Sequence, residues 1–299
     1  MPNTHNWIEA ARPRTLPLAL ASIGMGAFLA ASVGSFRWEV LVLTVLTTIL
    51  LQVLSNFAND YGDSVHGADQ AGREGPQRTV QSGVISPTAM RRAIVLFAFL
   101  SFISGVTLLL VSIQWNVQVL AVFLGLGLLA IAAAITYTAG KKPYGYAGRG
   151  DISVLIFFGL VGVLGSFYLH TGYLNLTTLL PALSCGLFSV AVLNVNNIRD
   201  IKTDLLAGKK SIPVRLGRNQ AVVYHWVLLT SGVLCSIVYV LLSYNTVYQW
   251  IFLISVPLLI RNGVAVQTKT QAADLDPYLK QLALTTLVYV LTFGLGHLL

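Results

Sequence analysis

Long apolar runs broken by short polar turns dominate the chain. No Asp, Glu, Lys or Arg occurs from 93 to 140, from 152 to 198 or from 219 to 260, stretches of 48, 47 and 42 residues. A membrane-crossing helix needs roughly 20 apolar residues, so each stretch has room for two. The turns "SIQWNVQ" (112–118), "HTGYLN" (170–175) and "SYNTVYQ" (243–249) divide them near the middle. This predicts three helical hairpins, with spans at about 93–112 and 118–139, 152–170 and 176–198, and 220–242 and 248–267. Two runs at about 15–35 and 39–58 precede the hairpins, and one at about 280–298 follows them. The expected fold is an all-α membrane protein, a single helical bundle of nine transmembrane helices over 1–299.

Composition agrees: 55% of the 299 residues are hydrophobic and only 10% are charged, with a mean hydropathy of +0.73, far more apolar than a soluble domain. Nine spans put the two ends of the chain on opposite sides, and the basic residues decide which side is which. Of the 19 Lys and Arg, 18 fall on one side and Arg37 alone on the other. That side is expected to be cytoplasmic, with the N-terminus inside and, in a bacterium, the inner membrane as the location. Trp38, Trp115 and Trp250 fall at the opposite boundary, as an aromatic belt would. The net charge of +8 then follows from this bias and calls for no nucleic-acid partner. Cys185 and Cys235 lie in separate apolar runs without ligand spacing, which implies packing and neither a disulfide nor a metal site. Arg12, Arg14 and the run ending "FLAAS" imitate a signal peptide, but the run is nearly span-length and the later spans fit an uncleaved start.

Two loops on the basic side, 59–92 and 199–218, are long and crowded with charge, four spans apart. The first opens with Asn59-x-x-x-Asp63, overlapped by Asn56-x-x-x-Asp60, and also carries Asp69; the second opens with Asn196-x-x-x-Asp200-x-x-x-Asp204. If the helices continue past the membrane edge, residues four apart share a face, and each motif becomes a column of oxygen ligands. Basic residues and glycines follow both, in "REGPQRTVQSG" (73–83) and "GKKSIPVRLG" (208–217). Carboxylates are costly at membrane depth, about 2.5–3.5 kcal/mol each on insertion scales, so two matching sets at its edge argue for more than solvated loop charges. Hard oxygen ligands beside Arg and Lys suit Mg²⁺ bound together with a substrate's phosphates; the EF-hand spacing that calcium would call for is absent. A substrate with a phosphate head and a membrane-soluble body is a lipid diphosphate such as a polyprenyl diphosphate. Its chemistry is ionisation at C1 as the diphosphate leaves, in a cleft between membrane helices that keeps the allylic cation dry.

These motifs resemble the UbiA superfamily of intramembrane prenyltransferases. More specifically, "RPRTLPLA" (12–19), "NDYGDSVHGAD" (59–69), "ITYTAGKKPYGYAGRGDISVLIFFG" (135–159) and "LNVNNIRDIKTDLLAGKKSIPVRLG" (193–217) are similar to the 1,4-dihydroxy-2-naphthoate polyprenyltransferases of menaquinone biosynthesis. The resemblance implies transfer of a polyprenyl group to 1,4-dihydroxy-2-naphthoate with loss of CO₂ and diphosphate, giving demethylmenaquinone. It implies that Asn59 and Asp63 sit in one metal site and Asp200 and Asp204 in another. It also implies that Arg78, Lys141 (in the Tyr-x-x-x-Lys element with Tyr137) and Lys209 hold phosphate oxygens. The superfamily's third acid, four positions after Asp63, is replaced here by Gly67, which leaves Asp60 or Asp69 as substitutes. Asp151 has two readings, orienting an acceptor hydroxyl or capping a helix.

The remaining candidates have plainer readings. Gly159, Gly162 and Gly165 suit close helix packing. Phe57, Tyr137, Phe157, Phe158 and Tyr168 suit either packing or a prenyl tunnel whose ring faces steady a cation. His66 is a solvated loop residue, and His5, His170, His225 and His297 are too scattered to form a metal set. The rival class is a secondary transporter, which places ionisable groups at mid-membrane; no Asp, Glu, Lys or Arg falls in the central part of any predicted span. Rival enzymes are superfamily members acting on 4-hydroxybenzoate, homogentisate or haem.

Overall fold

A computed structural model describes residues 3–66, 78–113 and 116–299. Among these residues nine helices are long and apolar enough to cross a membrane. We label them α1 (Leu16–Ser32), α2 (Trp38–Val65), α3 (Pro87–Ser112), α4 (Val117–Thr136), α5 (Gly150–Thr171), α6 (Leu179–Arg199), α7 (Arg218–Leu242), α8 (Val247–Thr268) and α9 (Ala272–Leu298). A short helix, Thr4–Ala11, precedes α1; Asn3 caps it, and Arg12 ends it in the left-handed region at φ 50°. Two more short helices, Ile201–Leu206 and Ile212–Leu216, lie between α6 and α7.

The order and number of spans match the sequence pattern, but several helices begin or end outside the apolar windows. α2 runs on to Val65, seven residues past the apolar run, because its Asp motif is itself helical. α9 starts at Ala272, eight residues early, carrying Asp274, Asp276 and Pro277 in its first turns. At the end opposite the charged loops, Trp38 opens α2 and Trp250 lies in the first turn of α8; Trp115 lies outside the described residues. Arg37, the one basic residue there, donates to the carbonyls of Val111 and Ser112 at the end of α3.

Helices in lipid gain little from hydrophobic burial against one another, so small residues and buried hydrogen bonds hold them together. A side chain at Gly159 would stand 2.8 Å from the Ala182 carbonyl and 2.9 Å from Gly186 Cα, so α5 and α6 touch backbone to backbone. Ser184, Ser236 and Tyr289 form a hydrogen-bonded chain at 2.9 and 2.6 Å that links α6, α7 and α9. The larger buried core joins α1 with α5 to α9, and a second joins the N-terminal helix with α2, α3 and α4. Between the two cores lies open space, and the site is built around it.

The middle of α5, Leu155–Gly165, is wound as a π-helix. Such winding usually lasts a single turn and often marks functional sites. Here it runs for 11 residues, and Phe157, Phe158, Val161, Gly162 and Gly165 from it line a chamber.

Candidate active site at the charged end of the bundle

Two cavities meet near the charged end. The outer one, of about 640 Å³, carries the charged side chains of both Asp motifs; the inner one, of about 400 Å³, is overwhelmingly apolar and runs between α1, α2, α3, α4 and α5. Gln52, Asn59, Tyr137, Val154, Phe158 and Leu193 line both, so the polar room opens onto the apolar one.

Because α2 stays helical through Val65, Asn59 and Asp63 share one face as their spacing predicts. Asp63 is 3% exposed. Its Oδ2 accepts from Arg78 Nη2 at 2.9 Å, and its Oδ1 accepts from the Tyr146 hydroxyl at 2.8 Å and lies 3.3 Å from Lys209 Nζ. Asn59 Oδ1 accepts from Thr138 Oγ1 at 3.0 Å. That contact depends on Gly62, where a side chain would stand 2.5 Å from the Thr138 carbonyl. Asp60, also on the cavity lining, is spent on the loop: it accepts from Thr79 N, Thr79 Oγ1 and Val80 N at 3.2, 2.6 and 3.3 Å, fastening the segment that carries Arg78. Gly67 and Asp69 lie outside the described residues.

The second motif departs from the expected single column. α6 ends at Arg199, and Asp200, at φ −94° and ψ 10°, joins it to the short helix that carries Asp204. Both Asp200 oxygens accept from Arg199, Nε and Nη2, at 2.7 Å. Asp204 is buried, and Lys209 Nζ lies 3.5 Å from its Oδ1. Lys209 therefore stands between Asp63 and Asp204 and bridges the two motifs, with its ammonium 4.7 Å from the centre of the Tyr146 ring. Burial pushes the Asp204 carboxyl up to about 6; Lys209 opposes the rise, while Asp200 and Asp63 add to it. Lys209 is the cation that Asp63 and Asp204 share. No three His, Cys, Asp or Glu side chains converge as a ready-made metal cage among the described residues. The donor set fits a Mg²⁺-like ion that takes one or two carboxylates and completes its shell with phosphate oxygens.

The loop between α4 and α5 roofs the site. Tyr137 lines both cavities; burial, with help from the Asp151 charge, raises its hydroxyl's pKa, so it remains a hydrogen-bond donor. Asp151, 6% exposed, lines the polar cavity and accepts from the Tyr224 hydroxyl at 3.1 Å. The loop is pinned where Lys210 N donates to the Tyr146 carbonyl at 2.8 Å, against Gly148 at φ 76°. A side chain at Gly148 would collide with the Lys210 carbonyl oxygen.

Lys141 is not brought to the cavity: Gly140, at φ 102°, turns the chain, and Lys141 and Lys142 are exposed. Tyr146, five residues on, takes the place beside Asp63. Of the aromatic candidates, Tyr137, Phe157 and Phe158 line the apolar chamber, while Phe57 packs edge-on with Trp7 and Phe97, and Tyr168 packs on Phe123. Sequence reading missed Tyr146, Thr138, Arg199 and Asp276. The first three lie inside the quoted blocks but carried no spacing signal; Asp276 lies 76 residues beyond Asp200.

The UbiA prenyltransferase family matches residues 19–296. The chain is 46% identical, over 98% of its length and 96% of the relative's, to a 1,4-dihydroxy-2-naphthoate octaprenyltransferase of Haemophilus influenzae. It is 44% identical, over 98% and 95%, to the protein of the same name in Escherichia coli. In fold it matches a UbiA homolog from Archaeoglobus fulgidus bound to GPP and Mg²⁺, with a TM-score of 0.66 at 14% identity, covering 98% of this chain and 99% of that one.

Proposed function

Since the chain belongs to the UbiA prenyltransferase family, we propose that it transfers a polyprenyl group from a polyprenyl diphosphate to 1,4-dihydroxy-2-naphthoate in menaquinone biosynthesis. The observation that carries this reading is the junction of the two cavities. Both Asp motifs, with Arg78 and Lys209, converge in a polar room that opens directly onto an apolar one. A lipid diphosphate has that same division. The names of the two relatives, at 46% and 44% identity, support the naphthoate acceptor.

The residues divide the work. Arg78 and Lys209 supply positive charge to the diphosphate. Asn59, Asp63, Asp200 and Asp204 would hold a divalent ion, taken as Mg²⁺, together with phosphate oxygens. Such an ion supplies charge neutralisation on the leaving diphosphate. The C1–O bond breaks with its electron pair going to diphosphate, and the ring carbon of the acceptor that bears the carboxylate attacks C1. The bond to the carboxylate then breaks, its pair returns to the ring, and CO₂ leaves; the product is demethylmenaquinone in its quinol form. The apolar chamber, with Phe157 and Phe158, keeps water from the allylic cation. Tyr137 offers a proton donor at the junction, and Asp151, steadied by Tyr224, faces the same room and orients an acceptor hydroxyl. The positive-inside bias supports a cytoplasmic N-terminus and a site that opens to the cytoplasm.

The test is mass spectrometry of lipids from membranes carrying the protein, given a polyprenyl diphosphate and 1,4-dihydroxy-2-naphthoate with Mg²⁺ or with EDTA. A Mg²⁺-dependent prenylated naphthoquinone lacking the carboxylate is expected. Prenylation of 4-hydroxybenzoate instead would overturn the acceptor, and product formation undiminished by EDTA would overturn the cation.

A further inference from the structure

One buried guanidinium ties the second motif to the last helix. The Arg199 side chain is 2% exposed, and all three nitrogens are engaged. Nε and Nη2 fork onto the two oxygens of Asp200 at 2.7 Å; Nη2 also donates to Asn196 Oδ1 at 2.9 Å, and Nη1 donates to Asp276 Oδ1 at 2.6 Å. Asp276 lies in the first turns of α9, and its other oxygen is 3.7 Å from Arg14 Nη1. Arg199 thus stands between two carboxylates, one inside the motif and one outside it.

We propose that Asp276 is a positioning residue for the diphosphate site, holding Arg199 in place so that Asp200 can turn from the guanidinium to its ligands. The proposal rests on the reading of Asp200 as a cation ligand. The fork takes one lone pair from each Asp200 oxygen and offsets the carboxylate's charge, so Asp200 is a weak ligand while the pair is closed and a strong one once Arg199 lets it go. Releasing it would strand a buried positive charge unless a second carboxylate stays bound, and a stranded buried charge is costly. Asp276 is that second carboxylate, already at hydrogen-bond distance, and Asn196 keeps Nη2 occupied. With Asp276 removed, Asp200 is the carboxylate left to Arg199 among the described residues. The pair then locks, and the site loses a ligand without any change to the ligand itself.

The experiment measures Mn²⁺ binding to the detergent-purified protein in the presence of inorganic diphosphate, reading free Mn²⁺ by electron paramagnetic resonance. Asp276→Asn is expected to raise the Kd at least fivefold and Asp276→Glu to restore it to within twofold. In turnover assays Asp276→Asn raises KM for the polyprenyl diphosphate and leaves KM for the acceptor unchanged. If Asp276 only fastens α9 to α6, the Asn variant melts lower with a Kd within twofold of the parent, and the proposal is overturned. Arg199→Lys gives a second reading should Asp276→Asn fail to fold. A lysine cannot fork, so Asp200 is released and the Kd stays level or falls; a rise overturns the proposal. Failure of the parent protein to bind Mn²⁺ with diphosphate would remove the cation reading and this proposal together, an outcome distinct from parental binding that the variants leave unmoved.

Discussion

Asp204→Asn should make the protein more stable while it abolishes most of its activity. Burial holds the Asp204 carboxyl at about 6, against an ordinary 3.8. The difference between those two values is worth roughly 3 kcal/mol of preference for the protonated form. Because the folded value is raised, the stability that protonated Asp204 contributes is fully present below the unfolded value near 4. It is lost as the pH climbs through about 6. At pH 7.5 the native protein therefore carries an ionised group its fold disfavours, and asparagine relieves that cost. Lys209 is not stranded by the change, since Asp63 remains 3.3 Å from its ammonium. At about 2 °C per kcal/mol for a large domain, the variant should melt about 6 °C higher at pH 7.5, with the gap closing towards pH 4. Turnover should fall at least about 100-fold, equivalent to roughly 2.7 kcal/mol of barrier. Thermal unfolding in detergent followed by tryptophan fluorescence from pH 4 to 8, with product formation measured at pH 7.5, tests both halves. A variant that melts lower than the parent at pH 7.5, or a gap that does not change with pH, would refute the argument from burial.

Three further outcomes are expected. Asp63→Asn should lower turnover by at least about 100-fold with normal membrane insertion; near-parental product formation would take Asp63 out of the site. The sequence resemblance gives Lys141 a phosphate-binding role, so that Lys141→Ala would raise KM for the diphosphate. Its exposed position predicts instead that Lys209→Ala raises this KM by roughly tenfold or more and that Lys141→Ala leaves it within about twofold, which steady-state kinetics on both variants decides. Gly62→Ala places a methyl group 2.5 Å from the Thr138 carbonyl. It should cost about 1–3 kcal/mol and disturb Asn59, seen as a lower melting temperature together with reduced turnover.

The number and order of spans were legible because a bilayer imposes its thickness on apolar runs, and charge-free stretches with central polar turns record that directly. The Asn59 and Asp63 face was legible for a similar reason: a four-residue spacing has one meaning on a helix that continues, and α2 does continue. The same spacing did not report that the helix ends at Arg199 and a short one begins after Asp200, although Asn196, Asp200 and Asp204 still line one cavity. Asp276 was hidden because a charge-based window treats 272–279 as loop; folded, those residues are the first turns of α9 and reach back to Arg199. That Tyr146 reaches Asp63 while Lys141 is exposed follows from the loop that begins with the Gly140 turn, a local event whose effect on direction no periodicity reports. Contacts between distant segments, such as Lys209 with Asp63, rest on how the loops after α4 and α6 lie against each other. They follow from packing rather than from composition.

The π-wound middle of α5 makes the site depend on a count of residues. Each residue added to or removed from an α-helix rotates everything beyond it by about 100°. At one end of α5 Asp151 faces the polar cavity; at the other Ser166 is bonded to the Ile23 carbonyl and His170 accepts from the Arg37 backbone. The two ends are fixed to different neighbours, so the winding between them acts as the gearing that sets Asp151 in phase with His170. A substitution that let 155–165 rewind as ordinary α-helix, with its fewer residues per turn, would leave every side chain of the site in the sequence and still turn Asp151 relative to His170.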